Sequence, residues 1–330
     1  MPAILAEWLY EEGIGENRAI LVERGAIVEA VIELPDDLRA GTVAAGRLRS
    51  ILVPGRRGLV ETGAGWVLVE PLPAALTEGQ GTRVEITRGS TPEPGKQKHA
   101  KGRITDSEER KGPSLRDRIG SPRPLPAVSS DRFEEAGWSE LLEEAASGEI
   151  GFTGGALRMS LTPAMTLFDV DGSLPGSELA AAGAAAAGRA IRRFGIGGSI
   201  GIDLPTLPSK AERQRAAEAL DAVLPQPFER TAVNGFGFLQ VVRRRERSSI
   251  PEMLQHDPAA AAARALLRRA ERYEGAGARE LRAAPPVIAW MEARPELVRE
   301  LERRIGAHVV LQADARLTNW GGDVHASLTR

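Results

Sequence analysis

The sequence predicts an α/β fold class, in full an α+β multi-domain chain in which a small β-barrel precedes a mixed sheet containing a βαβ unit. Three observations support this. Two short apolar runs, 165–170 and 199–204, flank an alanine-rich segment of helical composition at 178–194. A crossover of this length makes the two strands parallel. Short strand-like segments separated by Gly and Pro fill residues 38–104, and alternating helix and strand patterns return after residue 256.

The composition excludes several classes of protein. With 330 residues, 42% of them hydrophobic and 27% charged, the chain is typical of a globular protein with two or three domains. It has no cysteine, which excludes disulfides, thiolate zinc sites and cysteine nucleophiles. The net charge of −2 argues against binding of polyanions over the whole surface. No apolar run reaches membrane-spanning length and no signal peptide is recognisable, so we expect a cytoplasmic protein with no membrane partner.

The first third of the chain is predicted to be β-structure. Residues 1–37 are expected to form an N-terminal β-hairpin segment, with strands at 18–22 and 26–33 around a short turn. Residues 38–104 are expected to form an OB-type barrel, a common platform for single-stranded nucleic acids. The only aromatic residue in this unit is Trp66, which either stacks on a base or lies in the barrel core.

The rest of the chain is predicted to contain a linker and two further domains. Residues 105–130 are rich in Pro, Ser and Arg and are expected to be extended or poorly ordered. An acidic amphipathic helix at 131–148 begins a domain that spans residues 131–250 and includes the βαβ unit. Ser209 is expected to cap a second helix in this domain. Residues 256–330 are predicted to form a small C-terminal α/β domain.

The aspartates of the βαβ unit are the best candidates for chemistry. Asp169 and Asp171 alternate along the first run and so share one face of a strand, while Asp203 lies near the end of the second run. Because parallel strands bring their carboxyl ends together, Asp169 and Asp203 are expected to meet at one edge of the sheet. Mg²⁺ takes only one or two carboxylates from a protein, keeps several waters and binds phosphate oxygens, so a pair of aspartates suits it. Mn²⁺ is a possible substitute. Strand-end aspartates also form turns and caps, so the pattern alone leaves both interpretations open.

Two groups of basic residues predict contact with a polyanion. Lys96, Lys98 and Lys101 lie near the end of the predicted barrel. Arg243 and Arg245 belong to an RRRER run that follows a predicted strand, and we expect this run to lie beside the acidic site as a phosphate clamp. A solvated turn is the alternative interpretation of the same run.

Together these segments resemble the ribonuclease E/G family of bacterial endoribonucleases, of which the chain looks like a short, divergent member. The resemblance is most specific in GGALRMSLTPAMTLFDVDGS, GIGGSIGIDLPTL and RTAVNGFGFLQVVRRRERSSI. It also covers ENRAILVERGAIVEAVIE, LTEGQGTRVEITRG and APPVIAWMEARPELVRELERRIGAHVVLQAD. The match is gapped but collinear over most of the chain.

The resemblance implies a Mg²⁺-dependent endoribonuclease that hydrolyses single-stranded RNA to 5′-phosphate and 3′-hydroxyl ends. Asp169 and Asp203 fall on the family's metal-binding aspartates, and Asp171 falls on an asparagine of its catalytic site. Arg243 and Arg245 fall on the family's basic run. The resemblance also implies an OB-type RNA-binding barrel and a catalytic domain like the family's deoxyribonuclease-I-like domain.

The chain also departs from the family pattern. Leu59 and Val69 replace the aromatic pocket of the family's barrel, and Pro163 and Thr206 stand where the family has acidic residues. Residues 105–130 are too few for the family's 5′-phosphate-sensing domain. Without cysteine, we expect no zinc-bridged dimer of the family's kind, and the oligomeric state is left open. A catalytically weak or inactive RNA-binding protein derived from such an enzyme is therefore the alternative hypothesis.

Overall fold

The chain is a mixed α/β protein with several sheets and a closed five-stranded barrel, which agrees with the predicted fold class. The computed structural model describes residues 6–35, 38–93, 96–120, 122–125 and 129–327, with the backbone alone at 92, 93, 96, 97 and 327. The chain opens with three strands, β1 (Glu7–Glu12), β2 (Asn17–Glu23) and β3 (Ala26–Glu33). Strands β2 and β3 form the predicted hairpin, whose turn places Arg24 and Gly25 at positive φ.

A closed barrel follows these strands. Its strands are β4 (Val43–Val53), β5 (Arg57–Thr62), β6 (Gly65–Val69), β7 (Gly81–Arg88) and, after a short ribbon of β8 (Thr91–Glu93) with β9 (Lys96–Lys98), β10 (Ala100–Ile104). They close in the order β10-β6-β5-β4-β7. Val69, which stands where the ribonuclease E/G pattern has an aromatic residue, is fully buried in the barrel core with Leu48 and Val84. It therefore offers no surface to a base.

The segment predicted as a linker contains regular structure where it is described. It forms α1 (Leu115–Arg118) and β11 (Arg123–Pro124), and β11 pairs in parallel with β1. Leu115 is buried against the N-terminal strands, and Arg118 Nη2 lies 2.8 Å from Glu33 Oε1. The expectation of a poorly ordered linker is therefore wrong for these residues, because buried leucines, ion pairs and the pairing of β11 with β1 attach the segment to the N-terminal sheet.

The largest sheet carries the predicted βαβ unit. Its elements, after α2 (Arg132–Glu135) and α3 (Trp138–Ser147), are β12 (Glu149–Phe152), β13 (Gly155–Leu161), β14 (Thr166–Gly172), α4 (Gly176–Arg193), β15 (Gly198–Asp203), α5 (Lys210–Asp221), β16 (Glu229–Arg230) and β17 (Phe238–Arg243). The strand order is β12-β13-β14-β15-β17-β16, with β14 parallel to β15 and β17 antiparallel to β15. The helix predicted at 131–148 is divided in two at Gly137, which has a φ of 94°.

Helix α4 lies between the large sheet and the N-terminal strands. It contacts β12, β13 and β14 on one side and β3 on the other. A Cβ atom at Gly183 would overlap the Val170 side chain, and one at Gly188 would lie 2.8 Å from Val223 Cγ2. Ala184 is fully buried in this contact. Close packing thus requires the small residues of α4. The helix covers one face of the sheet, and the other face is open.

The C-terminal part has its own sheet and core. Its elements are α6 (Ile250–His256), α7 (Pro258–Arg272), β18 (Ala278–Ala283), α8 (Pro285–Glu292), α9 (Pro295–Ile305), β19 (Val309–Ala313), a 3₁₀ turn (Asn319–Gly321) and β20 (Asp323–Ser327). Strand β18 is central, parallel to β19 and antiparallel to β20. Among the residues described, no helix is long and apolar enough to cross a lipid bilayer.

A buried group of charged side chains, called the buried ion cluster below, joins α7 to the N-terminal strands. Its members are Glu11, Glu16, Arg18, Asp131, Arg264, Arg268 and Arg272. Arg18 Nη1 lies 2.5 Å from Glu11 Oε1, and Arg268 Nε lies 2.9 Å from the same oxygen. Burial disfavours the charged form of Glu11, but the neighbouring arginines outweigh this, and the pKa of Glu11 is lowered.

Replacing Glu11 by Gln should reduce the free energy of unfolding by about 3–5 kcal/mol near neutral pH, because three arginines lose a shared buried carboxylate. The folded-state pKa of Glu11 lies below its ordinary value of 4.5. Its contribution to stability is therefore present above that value and is lost as the pH falls through the lower folded-state pKa. The difference between wild type and variant should shrink on acidification.

Urea denaturation at a series of pH values would measure this difference. The adjacent, exposed Glu12→Gln variant is the matched control and should behave as wild type. A stability difference that stays constant down to about pH 3 would show that ionised Glu11 does not stabilise the folded state.

Candidate metal centre

Asp169 and Asp203 are direct neighbours in the large sheet. The register of the parallel pair aligns Asp169 of β14 with Asp203 of β15. Neighbouring strands lie about 4.8 Å apart, so the two side chains leave the same face at roughly that separation. Both residues are exposed. The two aspartates thus occupy adjacent parallel strands, as the βαβ pattern predicts, and metal binding by them is a separate prediction.

Strand alternation directs the aspartates to the open face of the sheet. Phe168 and Val170 point towards α4 and are buried, whereas Asp169 and Asp171 alternate with them and are exposed. Asp171 lies opposite Ala156 of β13, about 7 Å further along the strand than Asp169. All three carboxylates predicted as catalytic therefore share one face, with Asp171 displaced from the other two.

An arginine that the sequence analysis missed lies beside these carboxylates. Arg158 of β13 is the cross-strand partner of Asp169, and its side chain is 62% exposed. Its Nε donates a hydrogen bond to Glu149 Oε1 at 3.1 Å. This bond and the charge of Glu149, followed by the charges of Asp171 and Asp169, raise the pKa of Arg158. The open face therefore carries a cation that can bind a phosphate oxygen next to the acids.

The donor set fits a divalent cation that takes most of its ligands from outside the protein. Two adjacent carboxylates match the small number that Mg²⁺ takes from proteins when water and phosphate oxygens complete its shell. Within the described ranges, no group of three or more His, Asp or Glu side chains is arranged to hold a metal ion. Asp171 consequently does not complete a three-carboxylate site, and the pair of Asp169 and Asp203 is the candidate centre.

The arginines of the RRRER run lie at the opposite end of the sheet. Because β17 is antiparallel to β15, Phe238 faces Asp203 whereas Arg243 faces Gly198. Five residues of strand separate the two positions, a distance of about 16 Å. The prediction that the run lies beside the aspartates is therefore wrong, since an antiparallel strand carries its C-terminal end to the other edge.

Arg245 and Lys98 come together at this far end. Both line a cavity of about 360 Å³ that Thr166 and Ser199 bound at the start of the parallel strands. Arg245 forms an ion pair with Glu252 of α6, which partly neutralises its charge. Hydrogen bonds between the barrel and the segment after β17 hold the barrel at the same edge. Lys98 and Arg245 are thus close to each other and distant from the acids.

The other residues predicted to bind RNA belong to the barrel region. Lys101 is exposed on β10, and the side chain of Lys96 lies outside the described residues. Trp66 is 40% exposed, so it does not lie in the barrel core, and its ring centroid is 6.4 Å from that of His99. Both rings line a cleft of about 680 Å³ that Trp290 of α8 also borders. Stacking of a base on Trp66 stays a prediction.

Two phenylalanines near the aspartates were also missed from the sequence. Phe238 is paired with Asp203, and its ring lies over Gly201, where an added Cβ would be 2.6 Å from Phe238 Cζ. Phe236 projects from the turn that precedes β17. The NGFG motif at 234–237 was the available signal, but its position beside Asp203 depends on the antiparallel pairing.

Replacing either Asp169 or Asp203 by Asn should weaken Mn²⁺ binding by on the order of tenfold or more, because each variant removes one of two ligating charges. Asp171→Asn should weaken it less, since Asp171 lies one alternation further along the strand. Electron paramagnetic resonance of free Mn²⁺ during titration would give the affinities. Asp106→Asn, an exposed change after the barrel with the same loss of charge, is the control. Unchanged affinity in Asp203→Asn would exclude this pair as the metal centre.

No protein-family model matches this chain, and no curated protein matches it either. Likeness to the ribonuclease E/G family therefore depends on the sequence motifs quoted above and stays a prediction. What the candidate centre can do is decided by its own geometry: two paired aspartates, a third on the same face, and an arginine directly across from one of them.

Proposed function

We propose that this protein is a metal-dependent endoribonuclease that hydrolyses single-stranded RNA to 5′-phosphate and 3′-hydroxyl ends. The observation that carries the proposal is the register of Asp169 against Asp203 on an open sheet face. We interpret the closed barrel as an OB-type platform for RNA and the large sheet as the counterpart of the family's deoxyribonuclease-I-like domain. The substrate class comes from the sequence resemblance.

Asp169 and Asp203 would hold Mg²⁺ or Mn²⁺, which when bound neutralises phosphate charge and makes coordinated water more acidic. Arg158 donates N–H groups to a non-bridging phosphate oxygen and offsets the charge that develops there. Asp171 accepts a proton from the water that attacks phosphorus. The bond between phosphorus and the 3′-oxygen breaks, and that oxygen takes a proton from the solvent at the open face. The products are a 5′-phosphate and a 3′-hydroxyl.

The arrangement of charges suits an extended strand. The aspartates of the open face and the basic residues at the opposite edge of the sheet are about 16 Å apart along β15 and β17. A ligand that reaches both the carboxylates and the cavity lined by Lys98 and Arg245 must therefore lie along the strands. A flexible single strand of RNA can follow such a path, with its backbone near the lysines of the barrel.

The alternative is an RNA-binding protein with little or no hydrolytic activity. One observation favours it, namely that no third His, Asp or Glu in the described part of the chain joins Asp169 and Asp203. Pro163 and Thr206, where the related family has acids, agree with this observation. The two hypotheses differ in one measurable property, which is Mg²⁺-dependent cleavage of RNA.

Wild-type protein should cleave a fluorescent single-stranded RNA in Mg²⁺, and Asp203→Asn should lower the rate by at least about a hundredfold. Because Asp203 is exposed, the Asp203→Asn variant should be as stable as wild type, which thermal denaturation would verify. The downstream fragment should be a substrate for a 5′-monophosphate-dependent exonuclease. Asp106→Asn is the matched control and should retain full activity. Equal activity of wild type and Asp203→Asn would reject the enzyme hypothesis, and no activity in either would favour the alternative.

Binding of single-stranded RNA should weaken with salt, and Lys101→Ala should reduce the magnitude of the log–log slope by about 0.7, the value for one phosphate contact. Arg245→Ala should reduce it less, because Glu252 already neutralises this arginine. Fluorescence anisotropy across a salt series would measure the slopes. Lys210→Ala, an exposed change at the start of α5, is the control. A slope unaffected by Lys101→Ala would place the RNA path away from β10.

A further inference from the structure

Phe236 is the most exposed large hydrophobic side chain in the described part of the chain. Its exposure is 85%, against 49% for Leu52 and Val242, the next in order. Exposed apolar residues are common singly on protein surfaces, so exposure alone indicates nothing. What distinguishes Phe236 is how firmly the chain holds it and what lies next to it.

Several hydrogen bonds hold the turn that carries Phe236 in one conformation. Asn234 Oδ1 accepts from the backbone N–H of Phe236 at 2.9 Å and from that of Phe238 at 3.0 Å. The backbone N–H of Asn234 donates to the carbonyl of Phe238 at 3.0 Å. An Asn side chain that bonds to the backbone two and four residues on fixes a turn in one shape. The ring of Phe236 therefore stands on a rigid base.

The same turn is attached to the chain that follows Asp203. Leu204 N–H donates to the Gly237 carbonyl at 3.2 Å. Gly237 has a φ of 93°, and a Cβ atom there would overlap the Leu204 carbonyl, so only glycine permits this approach. The contacts that place Phe236 are thus made with the residue adjacent to a candidate metal ligand.

An apolar surface and the candidate metal centre both lie next to the turn that carries Phe236. Phe238 faces Asp203 across the strands, and its ring covers Gly201 beside Leu167. Asp203 is paired with Asp169, whose other cross-strand partner is Arg158. A ligand that uses both halves must present a flat apolar face next to a phosphodiester. A nucleobase within a single strand of RNA has this chemistry, and bases stack on aromatic side chains regardless of sequence.

We propose that Phe236 is the stacking platform for the nucleobase adjacent to the phosphodiester at Asp169 and Asp203, an inference that rests on the proposed function for the identity of the ligand. The ring sets which phosphodiester of the strand lies at the carboxylates, because a stacked base fixes the register of its own backbone. Phe236 is therefore a substrate-positioning residue of the open face, separate from the barrel and its Trp66.

Affinity for a short labelled oligoribonucleotide would be compared in Ca²⁺, so that binding is measured without reliance on hydrolysis, for wild type, Phe236→Ala, Phe236→Leu and Phe236→Trp. The Ala and Leu variants should bind about 5- to 150-fold more weakly, and the Trp variant should bind as tightly as wild type or more tightly. Val310→Ala, which trims another exposed apolar residue, is the control and should bind as wild type.

Oligonucleotides with one abasic position each would locate the stacked base. The effect of Phe236→Ala should disappear when the abasic position is at one particular nucleotide, and it should persist at the others. Affinity unchanged in Phe236→Ala, or fully retained in Phe236→Leu, would overturn the assignment. So would loss of a dimer in sedimentation with no change in RNA affinity, which would make Phe236 a self-association residue.

Failure of this assignment is distinguishable from failure of the proposed function. If wild type cleaves RNA and Phe236→Ala does so with the same KM and the same cleavage position, the stacking role is rejected and the nuclease stands. If no RNA is cleaved but affinity depends on Phe236 as expected, the stacking role stands and the hydrolytic function is rejected.

Discussion

The close packing of α4 against the large sheet is the constraint on which the candidate site depends. Helix α4 is enclosed by the sheet, by β3 and by α5, and it can approach them only through small residues such as Gly183, Ala184 and Gly188. Because the helix covers one face of β12, β13 and β14, side chains on that face are apolar, and those of opposite alternation are left open. The aspartates lie on the opposite, exposed face of the sheet. Close packing therefore explains the alanine-rich composition of α4.

The antiparallel direction of β17 separates the basic RRRER run from the aspartates, which the sequence analysis expected to lie side by side. Strand β14 and strand β15 bring Asp169 and Asp203 together because they run in the same direction. Strand β17 runs the other way, so it brings aromatic Phe238 to the acids and carries Arg243 away from them. As a result, the open face carries the acids, the phenylalanines and Arg158 at one end of the strands. The cavity lined by Lys98 and Arg245 lies at the opposite edge of the sheet, where the barrel is attached. This separation agrees with the elongated, flexible ligand that we propose.

The buried ion cluster has a different role from the exposed charges of the open face. Glu11 and Glu16 in the N-terminal part are paired with Arg264 and Arg268 of α7, far along the chain. Pairing these buried groups closes the N-terminal strands onto the C-terminal helix, and each member left alone would be a costly buried charge. The aspartates at the open face carry no such partners in the core, so their substitution can change binding without disturbing the fold. The buried acids Glu11 and Glu16 thus stabilise the fold, and the exposed aspartates are the ones to which we assign the proposed chemistry.

The amino-acid sequence by itself determined the local elements and predicted that the two aspartates would lie at one edge of the sheet. Hydrophobic period, glycine and proline positions and the Ser209 cap are read over a few residues, which is why the hairpin, the barrel strands, the βαβ unit and helix α5 are predictable. A helical crossover between two apolar runs also favours parallel strands, so the spacing predicted that Asp169 and Asp203 would meet, and the register of β14 against β15 agrees with this.

Only the tertiary structure decided which other residues share the open face. Placement of Arg158 depends on the pairing of β13 with β14, and placement of Phe236 and Phe238 depends on the pairing of β17 with β15. Strand order and direction between distant segments leave no local signal, since an RRRER run or an NGFG turn has the same composition at either end of a sheet. The short ordered segment around Leu115 was missed for the same reason, because its stability comes from contacts with strands far away in the chain.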